Sequence, residues 1–232
     1  MMNKTKLPAR LQCIADSILG SRRFIDVGSD HGYLSAYILE SGKADRVVCT
    51  DIHRAPAERT AAYLRSRGFS DRSDVFCTDG LSDVRITGEE TVVIAGIGGL
   101  EIIHILTDAL AEHGGVLPED TVILLQPQRS DEELRAFLCE NGFEIVFEKI
   151  CRDRRKVYII LSVKFTGKPI LLSSAEKILG PYILRNKPEG TVHYFSAKLR
   201  LLENQKLGRP ELERVILHIE KLMKENGGNT DE

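Results

Sequence analysis

The chain has no tryptophan, only three methionines, and no Cys-x-x-Cys pair among its five cysteines. Without such pairs the common zinc and thioredoxin-type frameworks are excluded. Cys13, Cys49, Cys77, Cys139 and Cys151 are scattered and read as buried, reduced thiols with no disulfide framework. No apolar run approaches the roughly 18 residues of a membrane span. The longest candidate, TVVIAGIGGLEIIHIL, is broken by glycines, Glu101 and His104. The opening MMNKTKLPARLQ lacks the apolar segment of a secretory signal, so a cytoplasmic protein is expected. An excess of one charge is missing too. Thirty-two Lys and Arg stand against 34 Asp and Glu, a net of −2 that does not by itself point to nucleic acid. Residues 1–165 carry −4 and residues 166–232 carry +2, a shift that is only a hint. The glycine fingerprint G-x-G-x-x-G of NAD enzymes is also absent.

What the chain does have is 232 residues with 42% hydrophobics and 28% charged residues, enough to bury a real core. Two periodicities alternate. Leu7, Leu11, Ile14 and Ile18 recur at helical spacing and predict a helix over 7–19. Short apolar runs then predict strands at RFIDVG, RVVCTD (46–51), DVFCTD (74–79), TVVIAG (91–96) and TVILLQ (121–126). Helical segments fall at about 32–41, 54–67, 98–113 and 130–141. Continuous apolar strands separated by helices argue for a parallel sheet covered on both faces. GFEIVFEKI and KVYIILSVKF follow with only CRDRR between them, so they pair as an antiparallel hairpin. The expected fold is α/β: a Rossmann-like seven-stranded sheet, parallel with one antiparallel strand, over residues 1–166. Residues 167–232 form a small all-helical domain, with helices expected over 173–186, 190–206 and 210–226 and a frayed GGNTDE tail.

In open α/β sheets a ligand lies outside the carboxyl ends of the strands. The first strand leaves Asp26-x-Gly28-x-Asp30-x-Gly32 at that rim. Gly28 permits a sharp turn close to a ligand, and Gly32 permits close helix–strand packing. Asp30 occupies a place that a pyrophosphate binder keeps bare, because a carboxylate repels phosphates. A cofactor with a cationic head and no phosphate fits better, and S-adenosylmethionine has that character. The plainer alternative makes Asp30 a helix N-cap. Asp51 ends the second strand at the spacing of a ribose-binding acid, or caps the next helix. Asp79-Gly80-Leu81 ends the third, where the acid could accept from an adenine amino group with Leu81 against the ring; an Asp-Gly turn is the alternative. The fourth strand ends in Ala95-Gly96-Ile97-Gly98, whose glycines allow close approach or tight packing, and the fifth in Gln126-Pro127-Gln128-Arg129.

These residues carry a resemblance. DVGSDHGYL, TDGL, IAGIGGLEIIHIL, LLQPQ, ELRAFLCENGFEI and LGPYIL together resemble the bacterial tRNA (adenine(22)-N1)-methyltransferases, from about Leu7 to Leu184. The resemblance implies an S-adenosylmethionine-dependent enzyme that methylates N1 of adenine 22 in tRNA, with a helical, coiled-coil-like tail that holds the RNA. The implied cofactor set is Asp26, Gly28, Ser29, Asp30, His31, Gly32, Asp51, Ile52, Asp79, Gly80, Leu81 and Ala95 to Gly98. Asp30, His31, Tyr33 and Gln128 are the candidates for the chemistry. His31 acts at the rim or is only a structural donor; Tyr33 stacks on a flipped base or only packs. The family usually has AGMGG and QPN, where this chain has Ile97 and the longer Gln128. Arg129, Arg152, Arg154, Arg155, Lys156, Arg185, Lys187 and Lys198, with Arg200, form the candidate track for tRNA phosphates. No metal and no membrane contact are expected, and a monomer is. The rival readings are a tRNA-binding protein without catalysis, a methyltransferase for another substrate, and an NAD enzyme.

Overall fold

A computed structural model describes residues 5–153, 156–205 and 210–227. It builds a seven-stranded sheet from β1 (Ser21–Val27), β2 (Ala44–Asp51), β3 (Ser73–Cys77), β4 (Glu90–Ile97), β5 (Val122–Pro127), β6 (Phe143–Asp153) and β7 (Lys156–Phe165). The order across the sheet is β3-β2-β1-β4-β5-β7-β6. β1 to β5 run parallel, and β7 is antiparallel to both β5 and β6. The chain leaves β1 in one direction toward β2 and returns to its other side as β4. That reversal opens a crevice at the carboxyl ends.

Helices α1 (Ala9–Asp16), α2 (Tyr33–Glu40) and α3 (Arg54–Ser66) cover one face; α4 (Gly99–Glu112) and α5 (Asp131–Glu140) cover the other. Each face has its own apolar cluster, because side chains alternate along a strand. Phe24 faces the α1–α2 side, and Ile25 faces α4. Among the described residues no helix covers the passage from β3 to β4; Leu81, Val84 and Ile86 of that loop are buried there instead. The first helix is shorter than the apolar stripe suggests. Pro8 disfavours a helical Leu7, and at the other end Ser17 folds its hydroxyl back onto the Cys13 carbonyl.

Beyond the sheet lie α6 (Ser174–Leu179), α7 (Pro181–Asn186), α8 (Thr191–Gln205) and α9 (Glu211–Gly227). The single helix expected over 173–186 is therefore two. Gly180 breaks it at φ +94°, and Pro181 starts the next helix with its ring pre-set for the first turn. A Cβ at Gly180 would collide with the Glu148 carboxylate, which accepts the amides of Tyr182 and Ile183 at the start of α7. Ile178, Ile183, Phe195, Leu212 and Ile219 join the α4–α5 apolar cluster, so the helical part is welded to the sheet. The same seam holds Arg135, a fully buried guanidinium. It donates to Glu148 (2.7 Å), Asp131 (2.8 Å), the Lys177 and Ile178 carbonyls and Tyr194 Oη.

The cysteine expectation fails at three positions. Cys13 of α1 and Cys151 of β6 are joined in a disulfide, across 138 residues of sequence, and Cys77 is exposed. Cys49 and Cys139 are buried free thiols, as expected. Of the expected frayed tail at 227–232, Gly227 ends the last helix, and 228–232, like the hairpin residues Arg154 and Arg155, lie outside the described residues.

Candidate active site at the strand ends

After Val27 the backbone turns through three left-handed residues, Gly28 (φ +73°), Asp30 (φ +52°) and Gly32 (φ +70°). The amides of Gly28 and Ser29 both donate to the Thr50 carbonyl, which binds this loop to the end of β2. Gly32, not Asp30, is the N-cap of α2. A Cβ on Gly32 would stand 3.0 Å from Thr60 Cγ2, and the Ser29 and Thr60 hydroxyls are 3.1 Å apart, so both residues pack the loop onto α3. Asp30 therefore points outward, ion-paired to Arg59 (3.2 Å) and 3.6 Å from His31. Its own amide donates to Asp51 Oδ2 (3.3 Å). The His53 amide donates to Asp51 Oδ1 (3.0 Å), so the Asp51 carboxylate is held in place while keeping acceptor capacity on both oxygens.

These groups surround a cavity of about 690 Å³ at the crevice between β1 and β4. Of the expected cofactor residues, Gly28, Asp30, Asp51, Ile52, Asp79, Gly80 and Ile97 line it. Gly80 is needed there: at φ +54°, a Cβ would lie 2.9 Å from Ile105. Asp26, Ser29, His31, Gly32, Leu81, Ala95, Gly96 and Gly98 are outside the lining. Leu81 is buried in the core, and the apolar walls come instead from Ile52, Pro56, Ile97, Leu100 and Ile105. Asp26 turns away from the cavity into the β1–α2 interior, where it accepts from Ser35 Oγ (2.7 Å). Burial pushes its carboxyl up to about 6, against the pull of the Ser35 hydrogen bonds.

The sequence reading missed Val27, Thr50, His53, Pro56, Leu100, Glu101, His104 and Ile105 in this lining. A signal existed for four of them: the first turns of a helix opening on a strand-end glycine project one face back over the rim. Glu101 sits so close that a Cβ on Gly98 would collide with its carboxylate. It pairs with Arg129 (2.8 Å), and its own backbone amide together with Arg129 holds it below the usual carboxylate range. Among the described residues the cavity is lined by four carboxylates and by no lysine or arginine. An acidic rim with apolar walls repels a pyrophosphate and suits a cationic ligand carrying a planar ring.

A second, smaller cavity of about 360 Å³ lies beside it, between the β5 end, β7 and α8, and Gln128, Arg129, Lys156 and Tyr158 line it. Gln126 is buried, and its Oε1 accepts from Arg10 Nη1 and from Gln128 Nε2, both at 2.8 Å. Tyr33 stacks on His31 (5.4 Å, 19°) and meets the edge of Tyr63 (4.9 Å), with 40% of its surface exposed. Of the candidate cations, Arg129, Arg152, Lys156, Arg185, Lys187 and Arg200 are exposed. Lys198 is turned inward: its ammonium lies 2.8 Å from both oxygens of Asp131.

A 3-2-1-4-5-7-6 sheet, with an acidic cavity in place of a phosphate cradle at its switch point, defines a Rossmann-like methyltransferase. The comparisons agree. A methyltransferase domain family matches residues 7–161. A Mycoplasma genitalium protein classed with the tRNA methyltransferases is 31% identical over 169 residues, 70% of this chain and 71% of that one. The Bacillus subtilis tRNA (adenine(22)-N(1))-methyltransferase is 27% identical over 190 residues, 80% of this chain and 78% of its own. A Streptococcus pneumoniae protein classed as a tRNA (m1A22) methyltransferase, solved with S-adenosyl-L-methionine, superposes with a TM-score of 0.81 at 26% identity. The match covers 94% of this chain and all of that one. The chain belongs to the methyltransferase domain family, on the branch that holds these bacterial tRNA methyltransferases.

Proposed function

We propose that the protein is an S-adenosylmethionine-dependent methyltransferase acting on N1 of adenine 22 in tRNA. The observation that carries this reading is the 690 Å³ cavity at the switch point, lined by four carboxylates and, among the described residues, by no lysine or arginine. Its relatives supply the base, the atom and the RNA. Bound there, S-adenosylmethionine supplies a methyl group on a sulfonium, which passes to the N1 lone pair and leaves the neutral thioether.

Adenine N1 is unprotonated at neutral pH, so the protein has to align it more than deprotonate it. Asp51 is placed to take ribose hydroxyls, and Asp79 an adenine amino group of the cofactor. Asp30 lends negative charge at the cationic end, with Gly28 as bare backbone beneath. Asp26 supports the loop from behind, through Ser35. The methylated base carries a positive charge, which the acidic rim stabilises as it develops. His31 and Tyr33 form a half-exposed ring pair beside the Gly28–Gly32 turn, fit to receive a base lifted from its stack.

Arg129, Arg152, Lys156, Arg185 and Lys187 are the cations placed for phosphates. Lys198 instead fastens α8 to α5. Residues 1–166 carry the chemistry and 167–232 help to hold the RNA, in a cytoplasmic monomer. Transfer of a sulfonium methyl group to an unprotonated ring nitrogen needs no metal. The test is transfer of a labelled methyl group to unmodified tRNA transcripts with adenine or guanine at position 22. Digestion should yield 1-methyladenosine from the first alone. Label at another base, or none, would refute the reading.

A further inference from the structure

We propose that Arg10 is a positioning residue that locks two side-chain amides, so that Gln128 presents its Oε1 as the acceptor for the exocyclic amine of the target adenine. The proposal rests on the adenine reading above. Arg10 reaches the rim from α1, a helix that precedes the first strand. It lies over Gly96, where β4 carries a bulge at φ +84°. A Cβ there would stand 3.1 Å from the guanidinium, so the bare backbone makes its room.

A guanidinium only donates. The atom of Gln126 that faces Arg10 Nη1 at 2.8 Å must therefore be the carbonyl oxygen. The other end of that amide agrees, since Gln126 Nε2 donates to the Pro127 carbonyl (2.8 Å). Gln126 Oε1 also takes Gln128 Nε2 at 2.8 Å, which uses both its lone pairs. The Gln128 amide must then face Gln126 with its nitrogen, and its oxygen is left for a ligand. Gln128 is exposed, and its backbone amide donates to the carbonyl of Ile97 (2.8 Å), which lines the large cavity.

The orientation matters because adenine and guanine differ at this edge. Adenine shows an amino donor beside the N1 lone pair, whereas guanine shows an oxygen beside an N1–H. A fixed acceptor matches the first and opposes the second. As N1 gains its methyl group, positive charge spreads onto the amine and its N–H becomes a stronger donor. The contact is thus tighter in the transition state than in the ground state, and its loss should fall on kcat more than on KM. Without Arg10 both amides can turn over, and the acceptor is no longer fixed.

The experiment is single-turnover methyl transfer with two transcripts, one carrying adenine at position 22 and one carrying purine riboside, which lacks the amine. Wild type, Arg10→Ala and Gln128→Ala are compared, with cofactor binding as the check on folding. With adenine, each variant should be slower than wild type by about 10- to 100-fold, the size of one good hydrogen bond at a charged site. With purine riboside the ratio of wild type to variant should fall to near one. Equal losses on both transcripts, for either variant, would overturn the proposal alone. Gln128→Ala is an exposed change and decides the matter even if Arg10→Ala does not fold. A wild-type enzyme inactive on adenine would overturn the function reading, and this proposal with it.

Discussion

Asp26 offers a perturbation whose size and pH dependence both follow from the structure. Its carboxyl is buried, with Ser35 donating to it and Asp51 close enough to oppose its ionisation. Burial raises it to about 6 from an ordinary value of 3.8. A group whose folded value is raised is stabilising while protonated, and that contribution is lost as pH climbs through the folded value. Between about pH 4 and pH 6 the folded state thus gives up stability, and above that the cost is constant. About two units correspond to about 3 kcal/mol. Asp26→Asn keeps the size and the acceptor for Ser35 but never ionises. At about pH 7.5 the variant should be more stable than wild type by up to ~3 kcal/mol, and the two should converge near pH ~4. Urea unfolding at half-unit pH steps measures the difference, in which the titrating groups not coupled to Asp26 cancel. A gap that does not change with pH, or a wild type that is the more stable at the alkaline end, would refute the reasoning.

Replacing Arg135 by methionine strands the buried Glu148 without its cation, while Asp131 keeps Lys198, and should cost about 3–5 kcal/mol in urea unfolding; a loss under about 1 kcal/mol would mean the buried network is not what clamps the helices to the sheet. Reducing the Cys13–Cys151 bond frees a 138-residue separation and should lower the unfolding free energy by about 2–5 kcal/mol. Unchanged stability, with both thiols alkylated in the untreated native protein, would refute the bond.

The sheet was legible because buried parallel strands must be apolar on both faces, which leaves short continuous runs such as TVVIAG, Thr91 to Gly96. The antiparallel closure was legible because five residues cannot hold a crossover helix. The site was legible only in part. Asp26 and Val27 are neighbours on one strand, so their side chains take opposite faces: Val27 lines the cavity, and Asp26 turns inside. The motif names both sides of the rim without saying which residue faces the ligand. Lys198 looked like a phosphate contact because composition does not reveal that α8 turns it onto Asp131. Gly180-Pro181 fits either a broken helix or the start of a new one. Arg10 and the Cys13–Cys151 pair depend on how α1 docks against the strand ends, and no local pattern encodes that contact.

The acidic cavity between β1 and β4 is the proposed site of the methyl donor. The direct measurement is calorimetric titration of S-adenosylmethionine into wild type and Asp51→Asn, repeated in the presence of NAD. One saturable site is predicted, weakened about 10- to 100-fold by the substitution and untouched by NAD. Unaltered affinity in the variant, or displacement by NAD, would contradict it.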